Sequence, residues 1–220
     1  WTTTPWTLPA NVAVAVGEEF VYAKCRAEKD GKVEDLWIAK DLAEQILKYG
    51  KYQKFDIIET KTGAELAGTK YLSPLSTQVP MQAEIEHKVV IADYVALENT
   101  GMVHIAPGHG WDDYLVGQKY GLPIICPVDG NGNFTRDAGI FEGKYVKDPS
   151  TNDEVIKELG DYMLAVRKIT HRYGHCWRCK TPIIYRATSH WFLKVKEVKV
   201  QMLKVIADEV TWMPVWAGSA

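Results

Sequence analysis

The sequence predicts an α+β fold, mainly β with flanking helices, built on a β-barrel-like core. Three observations predict it. Short stretches rich in Val, Ile, Thr and aromatic residues recur at close spacing along the chain, and turn residues punctuate them. Only a few single helical stripes interrupt these stretches, and no strand–helix–strand alternation of the parallel kind is evident. With 220 residues, 46% of them hydrophobic and 25% charged, the chain can bury one substantial core.

Taken in order, Trp1–Asn11 mixes β-branched and aromatic residues with Pro5 and Pro9, which suits an edge or barrel-rim strand that bends sharply. Val12–Val16 alternates valine with alanine. Gly17-Glu18-Glu19 then reads as a turn into a partner strand over Phe20–Cys25. Asp30-Gly31 is a second turn, leading to Val33–Ile38. Leu42, Ile46 and Leu47, with Gly50 behind them, fit a short helix over Asp41–Tyr49, and Tyr52–Glu59 returns to strand. Between Thr60 and Pro80, glycines, prolines and serines break every periodicity, so a long excursion with short strands is expected.

His87–Val95 is a strong strand, and Glu98-Asn99-Thr100-Gly101 turns it into a Met102–Ala106 strand as a hairpin. A helix follows, with Leu115, Val116 and Tyr120 inward and Gly121 as its stop. Pro123–Val128 and Asn133-Phe134-Thr135 flank the tight turn Asp129-Gly130-Asn131-Gly132. Thr151, Asn152 or Asp153 caps a helix running to about Gly160, and Tyr162–Ile169 is a further strand. From Thr170 the composition changes, which places the core at residues 1–169 and a distinct region at 170–220. There Pro182–Ala187 reads as a strand, and Val195, Val198, Met202 and Val205 mark a helix stripe.

Charge narrows the functional classes. The 26 basic and 28 acidic residues leave a formal net charge of −2, so no global field draws the chain to nucleic acid or to anionic membrane, and any nucleic-acid contact is local. No apolar run approaches the ~20 residues that span a bilayer, and a cytoplasmic location is expected. The chain begins at Trp1 without an initiator methionine and reads as a segment of a longer protein, expected to be monomeric in isolation.

The stretch Met102–Gly121 concentrates strand, bare backbone and ionisable side chains, and is read as the active centre. Pro107, Gly108 and Gly110 let backbone approach a ligand where Cβ atoms would obstruct. Asp112 and Asp113 stand where a helix should start, and position favours Asp112 as the cap and Asp113 as a carboxylate free to receive a cation. His104 on its alternating strand is either a hydrogen-bonded core histidine or a site residue. His109, between glycines, is expected to be exposed. Thr2, Thr3 and Thr4 cluster three hydroxyls between Trp1 and Trp6, although composition alone favours threonines placed for strand propensity and tryptophans for core volume.

Cys25 and Cys126 lie singly in apolar surroundings and read as buried thiols. Cys176 and Cys179 form a Cys-x-x-Cys knuckle, which is half of a closed tetrahedral zinc site. Three readings stand side by side: a half-site completed by ligands outside the segment, a site completed by His171 or His175, and a metal-free thiol pair. Nothing around the pair resembles a thioredoxin unit, which disfavours redox catalysis.

The segments Trp1–Asn11, His104–Tyr114 and His175–Thr188 resemble, in this order, segments of the inserted editing (CP1) domain of isoleucyl-tRNA synthetases. The resemblance runs essentially from end to end. The form Thr2-Thr3-Thr4-Pro5-Trp6 is closer to the isoleucyl branch than to the valyl or leucyl ones, and Trp111, where relatives often have proline, is a minor departure. It implies the barrel-like editing fold of the Val/Ile/Leu synthetases and hydrolysis of the ester in Val-tRNA(Ile). Isoleucyl-tRNA synthetase is itself the usual illustration of why: a pocket for isoleucine rejects valine by only about 1–3 kcal/mol, so a second hydrolytic site must correct the error.

The resemblance further implies roles for single residues. Asp113 would receive the substrate ammonium, and His104 would bound the side-chain pocket. Thr2, Thr3 and Thr4 would position the terminal adenosine and the attacking water, with Trp1, Trp6 and Asn11 completing the binding site. The implied partners are the tRNA(Ile) acceptor end carrying valine and the rest of the synthetase. No cofactor is implied for editing, and zinc at Cys176 and Cys179 only if outside ligands complete the shell. Neither the His-x-Gly-His-like nor the Lys-Met-Ser-Lys-Ser-like signature is present, so no amino-acid activation is expected. Two rivals are a noncatalytic zinc-associated module that holds the tRNA acceptor end, and a scaffold insertion in which the threonines and Asp113 stabilise loops.

Overall fold

The computed structural model describes residues 1–219. The chain divides into two compact units, Trp1–Ala187 and Thr188–Ala220. The boundary expected at Thr170 rests on composition and stays a proposal.

The first unit holds seven strands in two sheets: β1 (Ala13–Val16), β2 (Val21–Lys29), β3 (Lys32–Ala39), β4 (Lys54–Thr62), β5 (Lys70–Tyr71), β6 (His87–Ile91) and β7 (Met102–Ile105). One sheet runs β5-β6-β1-β7 and the other β3-β2-β4. The combination of sheets with flanking helices agrees with the expected α+β class. Closure does not: among the described residues the two sheets stay separate, and no barrel forms.

The β2–β3 hairpin follows its sequence signal. Asp30 and Gly31 take φ of 50° and 77°, the left-handed pair that a two-residue turn of matching twist requires. Ala23, Cys25 and Ala27 alternate inward from β2 and pack on Ile38 and on Ala43 and Leu47 of α1 (Ala43–Tyr49). A 3-10 turn over Lys40–Leu42 precedes that helix, and Gly50 ends it.

The expected hairpin between Val12–Val16 and Phe20–Cys25 is not formed, because β1 and β2 belong to different sheets. The turn at Gly17–Glu19 is instead held by α2 (Gly63–Leu66): Gly63 N–H donates to Phe20 O and Ala64 N–H to Glu18 O, both at 2.9 Å. A Cβ at Gly63 would lie 2.0 Å from Gly17 O, so only glycine permits this approach. Thr62 and Glu65 close a capping box on the same helix.

Nor do β6 and β7 pair directly. The Glu98–Gly101 turn exists, with Gly101 at φ 66°, but the returning chain lies on the far side of β1, which pairs parallel with β6 and antiparallel with β7. Val12, Ala13, Ala15 and Val16 are fully buried, so this segment needs ladder partners on both edges.

The opening segment also departs from expectation. Pro5–Ala10 is a 3-10 helix, with Pro5 supplying the fixed φ of its first residue. Trp1 lies along the outer edge of β7, where its N–H group donates to Met102 O and its carbonyl accepts from His104 N–H. The helix expected near residue 151 is α5 (Pro149–Leu159), and its cap is Asp148, whose side chain accepts from Ser150 N–H at 2.9 Å. Asn152 serves elsewhere: it accepts Trp6 N–H at 3.0 Å and joins the 3-10 helix to α5, beside a core of Trp6, Phe134, Phe141 and Val155.

Between these elements lie α3 (Met81–Glu84) and α4 (Trp111–Tyr120), the latter ended by Gly121 at φ 63°. Asp129 organises the expected turn by accepting from Asn131 and Asn133 N–H, and Val128 bridges Phe134. Tyr162–Ile169 and Pro182–Ala187 are not ladder strands; the former has no strand partner among the described residues. The second unit contains α6 (Val195–Asp208), which carries the expected Val195, Val198, Met202 and Val205 stripe. No described helix is long and apolar enough to cross a membrane.

Candidate functional site

A cavity of about 280 Å³ opens beside the outer edge of β7. Its wall combines Trp1, Thr2, Thr3, Thr4, Trp6 and Thr7 from the opening segment with His104, Ala106, His109 and Asp113 from the β7–α4 stretch. Residues remote in sequence therefore meet because Trp1 is tied to β7 by its backbone. Tyr173 and Tyr185 close a further side. Of the expected site residues, Asn11 lies behind His104 and not on the wall.

The hydroxyl cluster is internally organised. Thr2 Oγ1 accepts Thr4 N–H at 2.9 Å, and the Thr3 and Thr4 hydroxyls lie 3.3 Å apart. Thr7, which carries no signal in the sequence pattern, donates its hydroxyl proton to Thr4 O at 2.8 Å and sits 3.1 Å from His104 Nε2.

These contacts fix the state of His104. Asn11 Nδ2 donates to Ala13 O at 2.9 Å, so the amide nitrogen also faces His104 Nδ1, at 2.8 Å. Asn11 Oδ1 accepts from Tyr71 OH at 2.6 Å, consistent with the same amide orientation. His104 Nδ1 is then an acceptor, and its proton resides on Nε2, directed to Thr7 Oγ1. Burial lowers its pKa to about 3, so the ring is neutral. A neutral, doubly engaged imidazole cannot act as a base, but it forms a rigid wall.

Asp113 sits in the first turn of α4, whose N-cap is Gly110 and not Asp112. Asp112 is exposed, whereas Asp113 is half-buried and folds back toward the loop. Its Oδ2 accepts Ala106 N–H at 3.0 Å, and its Oδ1 accepts the Tyr94 hydroxyl at 3.2 Å. Burial raises its pKa above the ordinary carboxylate value, an effect that these two hydrogen bonds oppose and the neighbouring Asp112 reinforces. A cation entering the cavity would offset the cost of ionising this group.

His109 corrects an expectation, because it is 8% exposed. The flanking glycines do not expose it, and Gly108 lets the loop pack. A Cβ on Gly108 would stand 1.9 Å from Ile125 O, so the absence of a side chain brings the loop against that segment. The imidazole meets Trp6 edge-on, with centroids 5.0 Å apart and planes at 78°, and Nδ1 lies 3.0 Å from Tyr185 O. Ala187 N–H donates to Gly108 O at 2.8 Å, and Arg186 Nε to Val128 O at 2.7 Å. No local pattern announces these contacts, since each joins segments distant in sequence.

The Cys-x-x-Cys knuckle stands outside the cavity wall. Cys176 N–H donates to Thr181 O and Lys180 N–H to Cys176 O, closing a turn in which Lys180 takes φ 61°. The Cys179 thiol is lowered to about 7 by the Thr181 hydroxyl, with further contributions from the Thr181 backbone and Cys176. His171 and His175 are exposed, and His175 Nδ1 faces Tyr173 O. Among the described residues, no group of three or more His, Cys, Asp or Glu is placed to hold a metal. Completion by His171 or His175 is therefore not assembled, and the two thiols amount to half of a tetrahedral donor set.

No family model matches the chain. An isoleucine–tRNA ligase of Methanocorpusculum labreanum is 83% identical over 220 residues, which is 100% of this chain and 21% of that protein. Another, from Methanoregula boonei, is 64% identical over 220 residues, again 100% of this chain and 20% of that protein. The chain thus spans about one fifth of the length of the curated relatives it matches. Among solved structures, "The crystal structure of GlLeuRS-CP1" aligns with a TM-score of 0.47 and 17% identity, covering 71% of this chain and 78% of that one.

Proposed function

We propose, on the premise that this chain is homologous over its full length to isoleucine–tRNA ligases, that it is an editing module hydrolysing the ester of Val-tRNA(Ile). The observation that carries this reading is the cavity that gathers Asp113, the hydroxyls of Thr2, Thr3 and Thr4, and the rigid His104 wall. A mischarged tRNA end offers an ammonium, a small apolar side chain, an ester carbonyl and ribose hydroxyls, and each has a counterpart there. The half-buried carboxylate of Asp113 receives the ammonium. His104, held from behind by Asn11 and from the side by Thr7, limits the length of the side chain that enters. The threonine hydroxyls and the Trp1 and Trp6 rings orient the terminal adenosine and the water.

An aminoacyl ester is already activated, so placing water and stabilising the oxyanion account for hydrolysis without a covalent enzyme intermediate. The valine-charged acceptor end of tRNA(Ile) and the remainder of a synthetase are the partners this reading assigns, in the cytoplasm. No metal is needed for the step, and zinc at Cys176 and Cys179 would require donors from outside this chain.

Deacylation of preformed Val-tRNA(Ile) by the purified chain, with Ile-tRNA(Ile) as the comparison, tests the reading. Hydrolysis of the valyl ester with the isoleucyl ester spared is expected. Binding of both without hydrolysis would refute it.

A further inference from the structure

Two cations stand against the cavity wall without lining the cavity. Lys147, beside the cap of α5, has its Nζ 4.3 Å from the centroid of the Tyr173 ring and donates to the Tyr173 hydroxyl at 2.9 Å. Arg167 has its guanidinium carbon 5.6 Å from the Trp1 ring centroid and 5.8 Å from that of Tyr49, and one of its nitrogens donates to Asn99 Oδ1. Tyr173 and Trp1 both belong to the wall, so each cation rests on a ring that the cavity uses. Neither enters an ion pair among the described residues. Lys147 gives Tyr173 one ammonium proton out of three, and Arg167 is exposed, so both keep donors for a further acceptor.

The neighbouring sequence adds to this charge. From Tyr162 to Ala187 the chain holds six basic residues, Arg167, Lys168, Arg172, Arg178, Lys180 and Arg186, and no Asp or Glu. In a chain of net charge −2 this is a pronounced local excess, and Tyr173 and Tyr185 of the same stretch close one side of the cavity. The charge is therefore graded, with the Asp113 carboxylate on the wall and cations outside it. A ligand that matches this gradient keeps its positive group inside and lets its negative groups trail out. An aminoacylated RNA end has this polarity: the ammonium is on the amino acid, and the first phosphodiester lies one nucleoside away.

We infer that Lys147 and Arg167 grip the phosphodiester backbone of the substrate's 3′ strand where it leaves the cavity. The inference rests on the editing reading above, and it assigns the part of the substrate beyond the terminal nucleoside. Contacts of this kind carry no base preference; they fix the register of the strand. With the strand so held, the terminal ester reaches the threonine hydroxyls and the ammonium reaches Asp113.

The test compares two substrates, Val-tRNA(Ile) and the valyl ester of adenosine, which ends at the terminal nucleoside and has no phosphate. Each is given to the chain and to its Lys147→Gln and Arg167→Gln variants. Neutralising one contact to a single strand should make the slope of log KM against log salt shallower by roughly 0.7, or about 2.6-fold between ~50 and ~200 mM, and the two changes should add. At the lower salt the KM for tRNA should rise at unchanged kcat, Lys147→Arg and Arg167→Lys should stay near the parent, and the kinetics of valyl-adenosine should not move. A parental KM and salt slope for tRNA in either Gln variant overturns the inference. So does an equal loss on both substrates, which would make the cations supports for the Tyr173 and Trp1 rings. A parent chain that hydrolyses neither substrate is a different result, and removes the editing reading itself.

Discussion

Replacing Asp113 by asparagine separates charge from shape at this site. Asparagine keeps an oxygen to accept Ala106 N–H and an amide group within reach of the Tyr94 hydroxyl, so the loop geometry should survive. What disappears is the anion that faces the cavity. Hydrogen bonds to charged groups contribute about 1.5–3 kcal/mol, and each ~1.4 kcal/mol is tenfold in rate, so kcat/KM for Val-tRNA(Ile) should fall by roughly 10- to 150-fold. Stability should move the other way. Burial raises the folded-state pKa of Asp113 above its ordinary 3.8, so the folded chain binds this proton more tightly than the unfolded one. The parent has that contribution in full below pH 3.8 and loses it as pH rises through the folded value. Asparagine does not titrate. The variant should therefore melt at or above the parent temperature at pH 7, with its advantage shrinking on acidification, as followed by circular dichroism. Deacylation at the parental rate, or a variant less stable than the parent at pH 7, would refute the view of Asp113 as an under-compensated anion awaiting a cation.

Three further outcomes are expected. Gly108→Ala places a Cβ 1.9 Å from Ile125 O, a backbone atom that cannot swing aside, and should destabilise the fold by at least about 1–3 kcal/mol in urea unfolding. Tyr71→Phe removes the donor to Asn11 Oδ1 and should cost about 1–3 kcal/mol of stability; deacylation of Val-tRNA(Ile) should weaken in step, because Asn11, which holds His104 from behind, then loses one of its own two ties. Zinc added to the chain should be stripped by mild chelation, since two thiolates leave half a tetrahedral shell to water; metal retained in stoichiometric amount after chelation would show a complete site.

What sequence reasoning could read was local. The Asp30-Gly31 hairpin, the helix ending at Tyr49, the Gly121 stop of α4 and the Asp129 turn each depend on a few neighbouring residues with particular backbone preferences. The Asp113 and threonine stretches stand out because uncommon residue types stand together, and the structure brings both to one cavity. What escaped was the pairing of distant segments. Periodicity identifies the Ala13–Val16 strand but not its position between β6 and β7, because alternation along a strand carries no information about which segments pair with its edges. Glycines on both sides of His109 suggested exposure, whereas Gly108 permits close packing against Ile125 and the imidazole itself meets Trp6. The Tyr71 and Tyr94 hydroxyls act on site residues from other elements, and no spacing rule connects them to Asn11 or Asp113.

The placement of β1 has a consequence for how the molecule comes into being. The β2–β3 hairpin closes across Asp30-Gly31, a short loop with little entropy to lose. The sheet that carries His104 has no such shortcut: Val14 must find Val89 on one side and His104 on the other. Each closure spans a long stretch of chain, and contacts of this kind form slowly. Refolding should then be sequential, with protection of β2–β3 amides against hydrogen exchange preceding that of β1 and β7. Recovery of activity should follow the later phase, so a nascent or partly unfolded chain would carry every site residue and yet be inert.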